Sequence, residues 1–86
     1  MLYPIAIPYK FHPEVKFIVD YLRNKFNIIE YNKMNLSLKD AQGNEYLLFN
    51  DPNKVYGHRL SGIEFCPDII YDESLVDVIK SRIRQW

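Results

Sequence analysis

Residues 55–74 read VYGHRLSGIEFCPDIIYDES, and the rest of the chain is arranged around this stretch. It begins as a polar segment bounded by Gly57 and Gly62, and it continues as an apolar run that ends on Asp72 and Glu73. Glycines favour turns, whereas an apolar run rich in isoleucine and aromatic residues favours a strand. The stretch therefore predicts an exposed loop followed by a strand with two carboxylates at its end.

The residues after this stretch predict a helix. Ser74 is a favourable N-cap, and Asp77 stands at the third helical position, where its side chain can accept a hydrogen bond from the backbone N–H of the cap residue. Lys80 and Arg82 would lie near the C-terminus of the helix, where positive charge suits the helix dipole. Apolar residues recur at helical spacing, which predicts that the helix packs along one face: Leu75, Val78, Ile79, Ile83 and Trp86.

A second helix is predicted upstream, over residues 13–26. Pro13 suits its first turn, where the missing N–H would have no partner. Phe17 and Tyr21, four residues apart, form an aromatic ridge that either widens the buried face or faces a partner. The apolar stripe of this helix has the spacing i, i+3, i+4, i+7 and i+11: Val15, Ile18, Val19, Leu22 and Phe26.

The remaining segments predict strands. Residues 36–40 and 45–49 flank a Gln-Gly-Asn turn and predict a β-hairpin. Residues 28–31 predict a short strand. Residues 2–7 predict another, which neighbouring prolines restrict to a sheet edge or to a kinked strand.

The resulting order is β-α-β-β-β-β-α in a single compact domain, residues 1–86. Only the first helix can make a crossover between parallel strands. Helices at both ends with a hairpin between them predict an α+β (or small α/β) fold, in which a mixed sheet carries two helices mainly on one face.

The composition excludes several classes of protein. The 86 residues are 48% hydrophobic, so the chain can bury a core and is not a disordered segment. Eleven basic and eleven acidic residues give a net charge of +0, which matches neither a strongly basic nucleic-acid binder nor an acidic DNA mimic. No apolar run reaches the length of a membrane span, and no signal peptide is evident. The expectation is a soluble, cytoplasmic protein without a membrane partner.

The single cysteine, Cys66, cannot form an internal disulfide, which favours a reducing compartment. Its apolar neighbours favour a small buried side chain over a reactive thiol. His12 and His58 lie far from each other and from the cysteine, without the spacing of zinc ligands or of a nucleophilic triad. We therefore expect no catalytic residues, no metal and no cofactor.

The Asp72-Glu73 pair has two interpretations. Carboxylates at a strand end hold magnesium and polarise water in P-loop enzymes. Acidic residues also favour the N-terminus of a helix, which requires nothing beyond the residues that follow. A phosphate-binding loop would need glycine between the first strand and helix, but residues 7–13 contain two prolines and no glycine. Helix capping is therefore the favoured interpretation.

Residues 36–75 resemble the second half of the ATPase core of phage large terminases and related P-loop motors. The matching features are the Gly43-Asn44 turn, Asp51-Pro52, the Val55-Tyr56-Gly57 segment, and the apolar run ending in Asp-Glu. The phosphate-binding loop is absent, and Tyr56 stands where that family has arginine. The resemblance implies a degenerate, noncatalytic relative of this core or a mimic of part of it, of phage or mobile-element origin and acting in the host cytoplasm.

The leading functional hypothesis is a nonenzymatic protein-interaction module, such as a phage-encoded accessory protein or an inhibitor of a host or defence complex. Thirteen aromatic residues exceed what so small a core easily buries, although internal packing accounts for them equally well. Aromatic and arginine side chains dominate interface hot spots, and self-association is compatible with the same surface. The residues expected to bind a partner are Tyr9, Phe11, Tyr56, His58, Arg59 and Trp86.

Two further hypotheses stay open. A nucleic-acid-binding accessory would gather cations near aromatic faces, here Tyr9, Tyr56 and Trp86. A nucleotide-linked enzyme would use Asp72 and Glu73 with magnesium. The cations that the first alternative requires in one patch are Lys10, His58, Arg59, Lys80, Arg82 and Arg84.

Overall fold

The computed structural model describes residues 3–83 of the chain. Its five strands and three helices follow one another in an order that confirms the predicted α+β class. A short 3-10 turn, His12–Glu14, leads directly into the first helix. The elements are β1 (Ile5–Pro8), α1 (Val15–Lys25), β2 (Ile28–Asn32), β3 (Ser37–Asp40), β4 (Glu45–Phe49), α2 (Pro52–Val55), β5 (Gly62–Ile63) and α3 (Glu73–Arg82).

The strands form one mixed sheet in the order β2-β3-β4-β1-β5. The predicted hairpin is confirmed, because β3 and β4 pair antiparallel, with Leu38 opposite Tyr46. Strand β1 pairs parallel with β4 on one side and with β5 on the other, so it is central. The predicted edge position of the first strand was wrong: Pro4 and Pro8 lie at the ends of its pairing, where a missing N–H costs least.

The two faces of the sheet carry separate apolar clusters. On β1, Ile7 packs with the α1 face, whereas its neighbour Ala6 packs with the α3 face. This alternation follows from the two-residue period of a strand. Helix α1 covers the first face with the predicted residues Val15, Ile18, Val19 and Leu22. Leu60, Leu75, Ile79 and Val55 of α2 cover the second.

The expectation that both helices pack mainly on one face was therefore wrong. The connection from β1 to β4 crosses the sheet in one direction, and the connection from β4 to β5 returns in the other. Right-handed crossovers that run in opposite directions place their helices on opposite faces, which separates α1 from α2. Helix α3 follows β5 and packs in the same cluster as α2, so it lies on the second face. The short helix α2, for which no helix was predicted, forms because Pro52 suits a first turn and Asp51 accepts a hydrogen bond from the Asn53 N–H at 3.0 Å.

The last strand also differs from its predicted position. It comprises Gly62–Ile63 alone, and the apolar residues 69–71 belong to no strand. From this loop, Ile69 packs against the α1 cluster, whereas Ile70 is exposed. Helix α3 begins at Glu73, after Asp72 at the N-cap position, rather than after Ser74. Among residues 3–83, no helix combines the length and hydrophobicity that crossing a membrane requires.

Candidate interaction surface

The connection between β5 and α3, residues 64–72, is here called the edge loop. It leaves the edge strand β5 and passes along the flank of α1 before it reaches α3. The Glu64 carboxylate fixes its start by accepting hydrogen bonds from the Tyr21 hydroxyl and the Lys25 ammonium, both at 2.7 Å. Cys66 is buried against the α1 cluster, which confirms the prediction of a small core residue. The loop is therefore anchored at two positions.

The electrostatics of these anchors follow from burial and hydrogen bonding. Burial acts to raise the pKa of the Glu64 carboxyl, but the bonds from Lys25 and Tyr21 outweigh it, so the net pKa is lowered. The bond to Glu64 in turn raises the pKa of Lys25. Burial raises the pKa of the Cys66 thiol, and the carboxylates of Asp68, Glu14 and Glu64 add to this effect. The thiol is thus held in its unreactive, protonated form.

The edge loop presents large apolar side chains to solvent. Phe65 and Ile70 are 40% and 57% exposed, and the Phe65 ring lies 5.2 Å from that of Tyr71. Phe17 on α1 is 57% exposed and lines, with Pro67 and other loop residues, a depression of about 380 Å³. We call this set of side chains the edge-loop surface: Phe17, Phe65, Pro67, Ile70 and Tyr71.

The edge-loop surface has an acidic border. Residues 64–77 contain five carboxylates and no lysine or arginine. Asp72 forms an ion pair with Lys10 at 3.3 Å, and Glu64 with Lys25 at 2.7 Å. Asp68 is exposed in a left-handed conformation, φ 65°, which aspartate tolerates better than most residues. The loop side of the surface is thus acidic, whereas on the α1 side the Lys16 ammonium lies 5.2 Å from the centre of the Phe17 ring.

The structure brings together one part of the predicted binding set. Tyr56, His58 and Arg59 lie between α2 and β5, and all three are exposed. The Arg82 guanidinium of α3 lies 5.4 Å from the centre of the Tyr56 ring, and Arg82 shares a surface depression with the other two residues. The His58 ring meets Phe49 edge-on at 5.5 Å. Gly57, at φ 94°, provides the turn that positions this segment.

The other predicted binding residues lie elsewhere. Tyr9 is only 2% exposed, because it stays in register with β4 and shares the face of Ile7, so it belongs to the core and not to a surface. Phe11 is 50% exposed, beside Lys10 at the N-terminal end of α3. A ten-residue helix is about 15 Å long, so Phe11 is separated from the Tyr56 group at the other end. Trp86 lies outside the described residues.

The geometry around Asp72 and Glu73 corresponds to a helix start. Asp72 accepts the Val76 N–H through its backbone carbonyl at 3.2 Å, and Glu73 is the first residue of α3. The strand end that the terminase resemblance implies is absent at this point, because residues 64–72 form a loop. Within residues 3–83, no three potential metal-ligating side chains cluster together.

Comparisons with protein-family models, curated proteins and solved structures find no match to this chain.

Sequence reasoning missed most of the edge-loop surface. The spacing of Phe17 and Tyr21 gave a partial indication of it, because one of its two interpretations was a surface that faces a partner. Tyr21 instead bonds to Glu64, and only Phe17 is largely exposed. Ile70 and Tyr71 were assigned to a buried strand, because an apolar run alone does not distinguish a strand from a loop with one buried side.

Proposed function

We propose that this domain is a protein-interaction module that binds its partner through the edge-loop surface. The observation that carries the proposal is the exposure of large apolar side chains on a loop that is anchored at both Glu64 and Cys66. Solvent-exposed apolar groups rimmed by polar residues mark interaction sites. An anchored loop also loses little conformational entropy when it binds.

The chemistry of the surface indicates the kind of partner. Phenylalanine, tyrosine and isoleucine side chains suit an apolar patch or pocket on another protein, and aromatic residues contribute strongly to such contacts. The carboxylates of Asp68, Glu73 and Asp77 border the surface without a basic residue between them in sequence. The partner is therefore expected to have an apolar centre with a basic rim, and added salt should slow association.

The test compares two double variants in cells of the source organism. Phe17→Ser with Ile70→Ser removes the centre of the edge-loop surface. The matched control is Ile29→Ser with Met34→Ser, which alters side chains that are 68% and 92% exposed at or beside the opposite edge strand, β2. Cross-linking and affinity capture should recover a partner with the wild type and the control, but not with the first variant.

The same variants then give an affinity with the purified partner. Loss of two apolar anchors should raise the Kd by at least about tenfold, whereas the control should leave it unchanged. A partner that binds the Phe17→Ser, Ile70→Ser variant as tightly as the wild type would refute the proposal. Light scattering of the isolated protein identifies the case in which the partner is a second copy of this chain.

A second candidate function is nucleic-acid binding at the Tyr56 group. The observation in its favour is the convergence of His58, Arg59 and Arg82 around an exposed tyrosine. Lys10 does not join them, since it pairs with Asp72. Salt-dependent binding of a single strand that is lost on Arg59→Ala with Arg82→Ala would support this candidate.

The finer features of the proposal rest on the sequence alone. An accessory or inhibitory role, a phage source and action in the host cytoplasm follow from the terminase resemblance and the unpaired cysteine. The absence of enzymatic activity is likewise part of the proposal. A purified chain that hydrolyses ATP with magnesium, and loses this activity on Asp72→Asn, would contradict it.

A further inference from the structure

Most of the polar side chains that line a groove between α1 and β2 are basic. His12, Lys16, Arg23 and Lys33 line it, with Asp20 as the only acidic residue among its lining residues. The groove encloses about 470 Å³. Three permanent cations against one carboxylate give it a local charge of +2, in a chain whose net charge is +0. The neutral total therefore conceals a basic site.

The groove and the edge-loop surface lie on different flanks of α1. The apolar stripe of α1 faces the sheet, and the helix has two flanks beside it. Phe17 and Tyr21 lie on the flank toward the edge loop, whereas Lys16, Asp20 and Arg23 lie on the flank toward β2. The strands β5 and β2 are the opposite edges of the sheet. The two sites adjoin at Lys16, because its ammonium group lies 5.2 Å from the centre of the Phe17 ring.

The cations of the groove have no ionic partners in the part of the chain that the structure describes. The two ion pairs found among residues 3–83 join Lys10 to Asp72 and Lys25 to Glu64, and neither includes a groove residue. Lys16 and Arg23 are exposed and stand two helical turns apart, about 10 Å along α1. A row of unpaired cations of this length suits a linear polyanion better than one phosphate group.

The groove also contains flat side chains, which favour one class of polyanion over another. The guanidinium of Arg23 lies 5.8 Å from the centre of the Tyr31 ring, and the tyrosine is partly exposed. Flat guanidinium and aromatic faces stack on unpaired nucleobases, while the neighbouring ammonium groups contact phosphates. Acidic side chains of a peptide would pair with the cations, but they have no flat ring to stack on the Arg23 guanidinium or the Tyr31 ring.

We propose that the groove between α1 and β2 binds a single-stranded nucleic acid, with Arg23 and Tyr31 against a base and with Lys16 and Lys33 against the phosphates on either side. His12 extends the row toward the start of α1. Three permanent cations imply a log–log slope of affinity against salt of about −2 for a single strand.

The experiment measures fluorescence anisotropy of labelled oligothymidylate and oligouridylate at several salt concentrations, with the full chain. The wild type should bind both oligonucleotides at low salt, with that slope. Lys16→Ala with Arg23→Ala should weaken binding by about tenfold or more and reduce the magnitude of the slope to below about 1. Both side chains are exposed, so circular dichroism should show an unchanged fold.

The matched control removes two lysines from other elements, Lys39→Ala on β3 and Lys54→Ala on α2, and should bind like the wild type. Three outcomes would overturn the proposal: no binding at low salt, equal loss in the control, or loss only on Arg59→Ala with Arg82→Ala. Equal displacement of the oligonucleotide by an oligoglutamate of the same charge would also overturn it, because it would show a site for acidic chains in general. None of these outcomes depends on the edge-loop surface.

Discussion

At the scale of single residues, Asp40 organises the turn between β3 and β4. Its side chain accepts hydrogen bonds from the backbone N–H groups of Gln42 and Asn44 at 3.0 and 2.9 Å. It also accepts one from the Asn44 amide at 3.0 Å and one from the Tyr46 hydroxyl at 3.1 Å. The Asn44 amide, with these other donors, lowers the pKa of Asp40 against the opposing effect of burial. Burial and the bond to Asp40 raise the pKa of Tyr46 to about 12.

This network makes a prediction about acid stability. Because the pKa of Asp40 is lower in the folded protein than in the unfolded chain, its contribution is fully present above the unfolded pKa of about 4. The contribution is lost as the pH falls through the folded pKa. Asp40→Asn should therefore be less stable than the wild type at neutral pH. Between neutral pH and about pH 3, its free energy of unfolding in urea should fall by less than that of the wild type.

The control for this measurement is Asp20→Asn, since Asp20 is an exposed carboxylate on α1. It should retain the wild-type stability at neutral pH. If Asp40→Asn and the wild type lose stability in parallel as the pH falls, Asp40 is not the group that links folding to acid.

At the scale of elements, the edge loop is the segment whose conformation depends on few contacts. Glu64 accepts the bonds that tie it to α1, and Cys66 and Ile69 supply its contacts with the core. By contrast, strands β1 and β4 are paired over four successive residues. Local opening should therefore affect the edge loop before it affects the sheet.

Glu64→Ala should release this loop. Without the carboxylate, the Tyr21 hydroxyl and the Lys25 ammonium lose their partner, and the global free energy of unfolding should fall by only about 1 kcal/mol. Alkylation of the buried Cys66 thiol should become faster, whereas hydrogen exchange followed by mass spectrometry should show unchanged exchange in β1. Asp77→Ala, which removes an exposed carboxylate on α3, serves as the control. Uniformly faster exchange across the chain would mean that Glu64 stabilises the whole fold rather than the loop.

At the scale of the whole molecule, a single sheet separates two apolar clusters. Leu22 belongs to the first and Leu75 to the second, and their side chains are 0% and 1% exposed. Strands β1 and β4 contribute alternate residues to both clusters. Loss of packing on one face therefore weakens the strands against which the other cluster packs. Unfolding is therefore expected to be a single cooperative transition.

Leu22→Ala and Leu75→Ala test this coupling. Each substitution leaves a cavity in a closed cluster and should lower the free energy of unfolding by about 2–5 kcal/mol. Urea denaturation followed by both tyrosine fluorescence and far-UV circular dichroism should give coincident curves in each variant. The result that contradicts the prediction is a Leu75→Ala protein in which α3 melts first and the α1 cluster remains folded.

Several elements were predictable because their signals are local. The stripe of α1 repeats every 3.6 residues, and the hairpin alternates every two residues around a turn that contains Gly43 at φ 90°. Periodicity of this kind depends only on which side of an element is buried. The burial of Cys66 was likewise predictable from its apolar neighbours.

The candidate surfaces were not predictable in the same way. Arg23 and Tyr31 lie on different elements, and the structure alone brings them together across a groove. Glu64 meets Tyr21 over a separation of 43 residues. Tyr9 appeared available from its position after a strand, but the register of β1 with β4 placed it in the core.

The class of the fold, the order of its main elements, the stripe of α1 and the hairpin could all be predicted from the amino acids, because each is encoded in short-range periodicity and turn chemistry. Only the folded structure places α1 and α3 on opposite faces, because α3 follows the last strand and packs in the same cluster as α2. It also decided that residues 64–72 form an anchored loop rather than a strand. A loop and a strand can bury the same apolar residues, and only the contacts with α1 distinguish them.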